Sequence, residues 1–377
     1  MVGYNQTDIG LIPEDWEVKS MGLIGDTIIG LTYSPNNVSK YGTLVLRSSN
    51  IQNNQLAFKD NVFVDMELPN RVIVNENDIL ICVRNGSKRL IGKSTLIDKK
   101  TKGSAFGAFM SIYRSKSNLF IVNVFQSHII QKQINEVLGA TINQITNKDL
   151  ASFQIPLPPP KEQESIAQVL SDTDALITVL EKRIAKKRLI KQGAMQTLLT
   201  PKDDWEVKKL GEVCDIKKGQ LITSDTKVEG VIPVIAGGKK PAYFHNKSNR
   251  NGKQITVSGS GANAGFVSFH NYPIFASDCS TIGESKKYKI EYIYYLLMLF
   301  QEDIYNRQTG GAQPHIHPSD ISPIEIPFPP IQEQTHIANI LSDMDNEIDA
   351  LEKKLSKTKE LKQGLMQQLL TGKIRLV

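Results

Sequence analysis

The sequence predicts an α+β protein: two α/β domains alternate with two long helices, which pair as an antiparallel coiled coil, and the whole is an internal repeat. Three observations lead there. The phrase "KQGAMQTLLT" (191–200) returns as "KQGLMQQLLT" (362–371). The phrases end two longer stretches, 157–200 and 328–371, that align without gaps at a constant offset of 171. The octet "DWEVKSMG" (15–22) returns as "DWEVKKLG" (204–211), directly after the first of those stretches. The order is therefore A–B–A′–B′, and a repeat this long decides architecture before finer detail does.

Residues 1–155 form the first A segment. "TLVLRSSNI", "RVIVNENDILICVRNG", "KSTLID" and "FMSIYRS" are short β-type runs between turn residues. Residues 156–200 form the first B segment and predict one helix of roughly 38 residues, about 57 Å long at 1.5 Å per residue. Prolines with Glu and Gln begin it, and Thr200-Pro201 stops it. Residues 201–327 form the second A segment, with strands in "GVIPVIAGG", "KQITVSGSGANAGFVSFH" and "YPIFASD" and a helical run in "KYKIEYIYYLLMLFQEDIYN". Residues 328–377 form the second B segment, stopped at Thr371-Gly372. Between the DWEV octet and the approach to the helix, the two A segments share little sequence.

Both helices carry apolar residues at alternating spacings of three and four: Leu170, Ile177, Leu180 and Ile184 in the first, Leu341, Ile348, Leu351 and Leu355 in the second. That is a coiled-coil seam, interrupted near Lys187 and Lys191. Acidic residues come early in each helix and basic residues late, so a parallel pair sets like charge against like. An antiparallel pair sets acid against base and brings "MQQLLTGKIRLV" back beside the N-terminal "DWEV", relating the halves by a pseudo-twofold axis.

The remaining composition is permissive. Net charge is +6 and 40% of the 377 residues are hydrophobic. Cys82, Cys214 and Cys279 are too far apart in sequence for a zinc ribbon or a disulfide framework, which suits a reducing, cytoplasmic setting. The N-terminus does not read as a secretory signal, and no apolar run reaches bilayer length, so no membrane partner is expected. "GSGANAG" (259–265) has the wrong glycine spacing for a dinucleotide or methyl-donor loop and reads as a turn. No phosphate-binding loop of the ATPase type occurs, and His315-x-His317 lacks a nearby third ligand, so no catalytic residue, metal or bound cofactor is assigned to this chain.

The A–B–A′–B′ layout, the "IPLPPPKEQESIAQVL" and "IPFPPIQEQTHIANIL" helix starts and the two "KQGxMQxLLT" ends resemble the specificity (S) subunit of type I restriction-modification systems. The resemblance covers essentially the whole chain. It implies two target-recognition domains, each reading one half of a bipartite sequence in double-stranded DNA. It implies helices that set the spacer and dock two adenine methyltransferase (M) subunits, with motor-nuclease (R) subunits joining in host defence. S-adenosylmethionine, ATP and Mg are then bound by the partners.

Base reading needs hydrogen-bonding side chains on turns. In the first domain two clusters qualify: Arg47, Ser48, Asn50 and Gln52, then Arg84, Asn85, Lys88, Arg89 and Lys93. In the second, "AGGKKPAYFHNKSNRNGK" contributes Lys239, Lys240, Tyr243, His245 and Arg250. "SGSGAN" adds Ser258, Ser260 and Asn263, and "NRQTGGAQPHIH" adds Arg307, Gln308, Gln313 and His315. Other function classes compete. A self-contained methyltransferase or nuclease is opposed by the missing motifs. A coiled-coil adaptor needs no DNA. A specificity subunit whose type II partner fuses methylation and cleavage has the same sequence signature.

Overall fold

The computed structural model describes residues 3–138, 143–223, 225, 226 and 228–377. They form two compact units: Met1–Val179 together with Leu355–Val377, and Leu180–Lys354. Each unit combines one of the two A segments with a part of both long helices. The linear segments are therefore interleaved by helix pairing.

In the first unit, one antiparallel sheet runs in spatial order Ser94–Leu96, Ile79–Cys82, Met110–Arg114, Asp26–Ile29. The strand Ile79–Cys82 is buried on both faces and alternates: Ile79 and Ile81 join one core, Leu80 and Cys82 the other. A second sheet places Thr43–Leu46 between the parallel strand Ala105–Phe106 and the antiparallel strand Val62–Val64. Helices Asn118–Gln126 and His128–Val137, absent from the sequence expectation, cover the first core with Phe120, Phe125 and Ile130.

The second unit has the same wiring. Its four-stranded sheet runs Val267–His270, Gln254–Ser258, Cys279–Gly283, Ile216–Lys218. Beside it, Ile232–Ile235 lies between the parallel strand Phe275–Ala276 and the antiparallel strand Tyr243–His245. The A segments thus share a strand framework that their sequences conceal. Gly30 and Gly219 mark it: a Cβ at either would sit about 2 Å from a carbonyl oxygen, of Gly107 and of Ser277 respectively.

The repeat also holds at hydrogen-bond level. Gln154 to Leu157 pair antiparallel with Ser20 to Glu17, and Glu325 to Phe328 pair in the same register with Lys209 to Glu206. Met21 N–H donates to Phe153 O and Leu210 N–H to Ile324 O, at 2.9 and 2.8 Å.

The long helices span Pro160–Leu198 and Ile331–Leu369, 39 residues each. Their starts show why proline and glutamine recur. Gln163 Nε2 donates to Pro158 O and Gln334 Nε2 to Pro329 O, both at 2.8 Å, folding the proline turn back onto the first helical turn. In the first unit Leu170 and Ile177 are buried; in the second Leu180, Ile184, Leu341, Ile348 and Leu351 are buried. Leu355 is the one predicted seam residue left half-buried. The lysines that interrupt the seam close it with charge. Lys362 meets Asp174 at 2.6 Å in the first unit, and in the second Lys191 meets Asp345 at 2.5 Å and Lys187 meets Glu347 at 2.7 Å. Asp345 is Asp174 shifted by 171 residues, and Lys362 is Lys191 shifted by the same amount. Acid sits against base in both units, so the pairing is antiparallel, as the charge order predicts.

The C-terminal segment closes the first unit against the N-terminus. Tyr4 Oη donates to Gly372 O at 3.0 Å. Gly372 has φ +67°, and a Cβ there would lie 2.3 Å from Pro13 Cγ, so glycine is required twice over. Arg375 forms a fork onto Asp15 and a second onto Glu162, whose carboxylate also accepts from Trp16 Nε1. Lys202 plays the same part in the second unit, pairing with Glu333 at 2.6 Å and lying over the Trp205 ring. The three cysteines are buried and unpaired, and burial pushes the thiols up, to about 11 for Cys82 and about 12 for Cys214 and Cys279.

Candidate nucleic-acid interface

The shared wiring places the candidate clusters on equivalent loops. The Arg47 cluster follows strand Thr43–Leu46, and Lys239 and Lys240 follow its counterpart Ile232–Ile235. The Arg84 cluster follows strand Ile79–Cys82, and Ser260 and Asn263 follow Gln254–Ser258. Residues from four of the five candidate clusters therefore occupy two structural positions, each used twice.

The loops also meet. In the first unit Asn85 Nδ2 donates to Ser48 Oγ at 3.2 Å, joining the two clusters. A third segment, residues 143–145, completes the face: Asn85 N–H donates to Asn143 O, Asn143 Nδ2 donates to Gly86 O, and Ile145 N–H donates to Val83 O. In the second unit Gly261 N–H donates to Pro314 O and Ile316 N–H to Gly259 O, a matching ladder in which Pro314 and Ile316 are Asn143 and Ile145 shifted by 171 and the loop residues are shifted by 176. There Lys239 Nζ lies 5.0 Å from the centre of the Phe266 ring, and a Cβ on Gly237 would come within 2.5 Å of Ser260 O.

Exposed cations and hydrogen-bonding groups populate the faces. Arg84, Lys88, Arg89 and Gln52 are exposed in the first unit, and Lys239, Lys240, Arg307 and Gln313 in the second. The Arg84 guanidinium stacks over Phe109, an aromatic ring 55% exposed that sequence reasoning missed. Such a cation-on-aromatic surface suits phosphates and base faces. Arg47 is held by Asp60 at 2.8 Å, Gln308 Nε2 donates to Ala264 O, and the Ser260 hydroxyl is bonded to Asp278.

Six further candidates have polar atoms that the fold engages or buries. Asn50 is fully buried and caps its own loop, accepting from Arg47 N–H and donating to Ala57 O and Asn61 Oδ1. Lys93 Nζ donates to Ile51 O at 2.7 Å. Arg250 uses Nε, Nη1 and Nη2 on Thr281, Asn249 and Lys218. His245 is buried with Nδ1 against Val228, and Tyr243 Oη donates to Ile222 O. Ser258 is buried at a strand end. Gln144, which the composition did not flag, lies on the face, opposite Arg84 in an antiparallel bridge. The 171-residue offset from His315, whose bridge partner is Ser260, was the signal that could have found it.

Comparison with known proteins agrees with this architecture. The family profile described as "Type I restriction modification DNA specificity domain" matches residues 13–187 and 202–363, one match for each repeat. A putative type I restriction enzyme MjaX specificity subunit from Methanocaldococcus jannaschii is 29% identical, the alignment covering 99% of this chain and 97% of the relative. The type I restriction enzyme EcoKI specificity subunit of Escherichia coli K12 is 30% identical over 48% of this chain and 40% of its own length. Among solved structures, the type I restriction-modification S subunit from M. genitalium shares the fold, with a TM-score of 0.69 at 19% identity over 94% of this chain and 96% of that one. Two profile matches spaced as the internal repeat demands, and relatives alignable from end to end, make this chain a member of the specificity-subunit family of type I restriction-modification systems.

Proposed function

We propose that this chain is the DNA-reading subunit of a methyltransferase and restriction complex, with each domain recognising one half of a bipartite target. The observation that carries the reading is the reuse of one strand framework with different side chains on the same loops. A fixed frame with variable loops keeps geometry and changes specificity. Exposed Arg84, Lys88 and Arg89 grip phosphate in one domain, Lys239 and Lys240 in the other, and neighbouring amides and hydroxyls read base edges. Chemistry belongs to partners: two adenine methyltransferase subunits using S-adenosylmethionine, and motor-nuclease subunits using ATP and Mg. Among the described residues no helix is long and apolar enough to cross a membrane.

The test is reconstitution. The purified chain alone should neither methylate nor cleave DNA. Mixed with its methyltransferase partner, it should direct adenine methylation, by an enzyme that flips the base, to a two-part sequence with an undefined spacer. Robust methylation by the lone chain, or a target without two halves, would overturn the reading.

The helices offer a docking feature that the repeat duplicates. Ile190 and Leu361 occupy equivalent positions and are 45% and 58% exposed, though large and apolar. Two equivalent apolar positions fit two copies of one partner. Burying such a side chain contributes roughly 1.5–3 kcal/mol. Ile190→Asp and Leu361→Asp should each weaken one methyltransferase site by at least about tenfold, leaving complexes with one copy in native mass spectrometry. Assembly of the double variant with two copies at wild-type affinity would remove these residues from the interface.

A further inference from the structure

We infer that Gln144 and His315 are equivalent specificity-determining residues, each selecting one base pair in its own half-site. The inference rests on the DNA-reading function proposed above and goes beyond it by naming the reader in each domain.

Position is the first argument. Gln144 stands opposite Arg84, and His315 opposite Ser260, each in an isolated antiparallel bridge to the loop that follows the inner strand of the four-stranded sheet. Each is followed by a fully buried isoleucine, Ile145 or Ile316, whose N–H donates to that loop at 2.8 or 2.9 Å. Two residues later each chain starts a short helix with the same cap: Asp149 accepts from Thr146 N–H, and Asp320 from His317 N–H. The backbone is therefore pinned identically on both sides of one residue.

Availability is the second. Both side chains are half-buried. Among the described residues neither the Gln144 amide nor the His315 ring nitrogens take a hydrogen-bond partner; the His315 ring stacks at 6.3 Å, nearly parallel, on His317. This separates them from Asn50, Lys93, Arg250 and His245, whose polar atoms are engaged inside the protein. A half-buried, pre-positioned polar group lacking an internal partner suits an external one.

Chemistry is the third. Scaffold residues around this position match between the repeats, as Ile145 with Ile316 and Asp149 with Asp320, while the residue at the position changes from an amide to an imidazole. A reader should vary where its frame does not. The Gln144 amide offers a donor and an acceptor side by side, the pattern that matches adenine N6 and N7 in the major groove. Gln144 is therefore assigned to an A·T pair. The two ring nitrogens of the His315 imidazole offer a pattern different from an amide's, so it selects its own base pair in the other half-site.

The experiment uses the full chain assembled with its methyltransferase partner. Wild type, Gln144→Ala, Gln144→Arg and His315→Ala complexes each select from a DNA library randomised across both half-sites, and host genomes carrying them are sequenced for methylated adenine. Q144A should lower discrimination at one A·T pair of one half-site by roughly 10–100-fold and leave the other half-site unchanged. Q144R should move that position towards G. H315A should relax one position in the opposite half-site. Unchanged base preferences in Q144A and H315A overturn the assignment. So does uniform weakening across a half-site at unaltered melting temperature, the mark of a phosphate or structural contact. Library selection reads preference even where methylation is slow. If the wild-type complex selects no bipartite sequence, the DNA-reading function itself fails, and that result is separable from failure of the residues.

Discussion

Arg375→Met lowers the stability of the unit that contains it by about 3 kcal/mol, because it strands a carboxylate that has almost no access to water. The side chain of Glu162 is 1% exposed and that of Arg375 12%. Without the guanidinium, Glu162 keeps only Trp16 Nε1 and the Leu376 N–H. Urea unfolding of the full chain, followed by tryptophan fluorescence, measures the loss. Arg375→Lys should recover part of it, retaining charge without the planar fork. Lys202→Met, the counterpart in the second unit, should change stability by less than about 1 kcal/mol, because Lys202 is 57% exposed and Glu333 32%. Equal losses for the two would contradict burial as the cause.

The pH dependence has a definite sign. Burial raises the Glu162 carboxyl, but the hydrogen bonds from Arg375, Trp16 and the Leu376 N–H, with the charge of Arg375, outweigh it and hold it below the ordinary value of 4.5. Asp15 is lowered from 3.8, chiefly by its hydrogen bond with Arg375. A depressed folded value means that stabilisation is present above the unfolded value and lost as pH falls through the folded one. Wild type should therefore lose stability below about pH 4.5. In R375M burial dominates and raises Glu162, so protonation relieves the variant, and the gap between the two proteins should narrow on acidification. A gap that widens instead would refute the assignment.

Lys362→Glu is expected to cost about 2 kcal/mol, since it places a second carboxylate against Asp174 in the helix pair. The side chain of Lys362 is 14% exposed and that of Asp174 44%, which tempers the penalty of a fully buried pair. Lys191→Glu should cost more. It meets Asp345, which also accepts from Tyr295 Oη at 2.8 Å, and it removes the ammonium from the Tyr295 ring. The decisive arm is the exchange Asp174→Lys with Lys362→Glu, which preserves an attractive pair only where the antiparallel register is as described. It should recover most of the single-variant loss in the same unfolding assay. A double variant no better than Lys362→Glu alone would remove this pair from the determinants of register, the role polar seam residues commonly play.

Gln163 and Gln334 show how far motif reading reaches. Their recurrence after paired prolines identified the helix starts and the family resemblance, yet only the folded chain reveals that each amide returns to a proline carbonyl. The seam was legible because helical periodicity is local and the offset of 171 doubles every signal. Leu170, Ile177, Leu180, Ile184, Leu341, Ile348 and Leu351 are buried as the spacing requires. The direction of pairing was legible too, since acid-early and base-late charge order leaves antiparallel as the attractive choice.

What the sequence by itself determined was therefore the repeat, the helices and their direction: features written as spacing along one chain. Only the tertiary structure decided that the two A segments share one strand framework. Strand pairing joins residues distant in sequence and tolerates any side chains that fill the same core, as Ile79 and Ile81 do in one unit and Ile255 and Val257 in the other. It also decided which polar residues remain available on the candidate face. Composition cannot distinguish Asn50, buried with its amide engaged, from Gln144, half-buried without a partner among the described residues, because hydrogen-bond satisfaction is a property of neighbours in space.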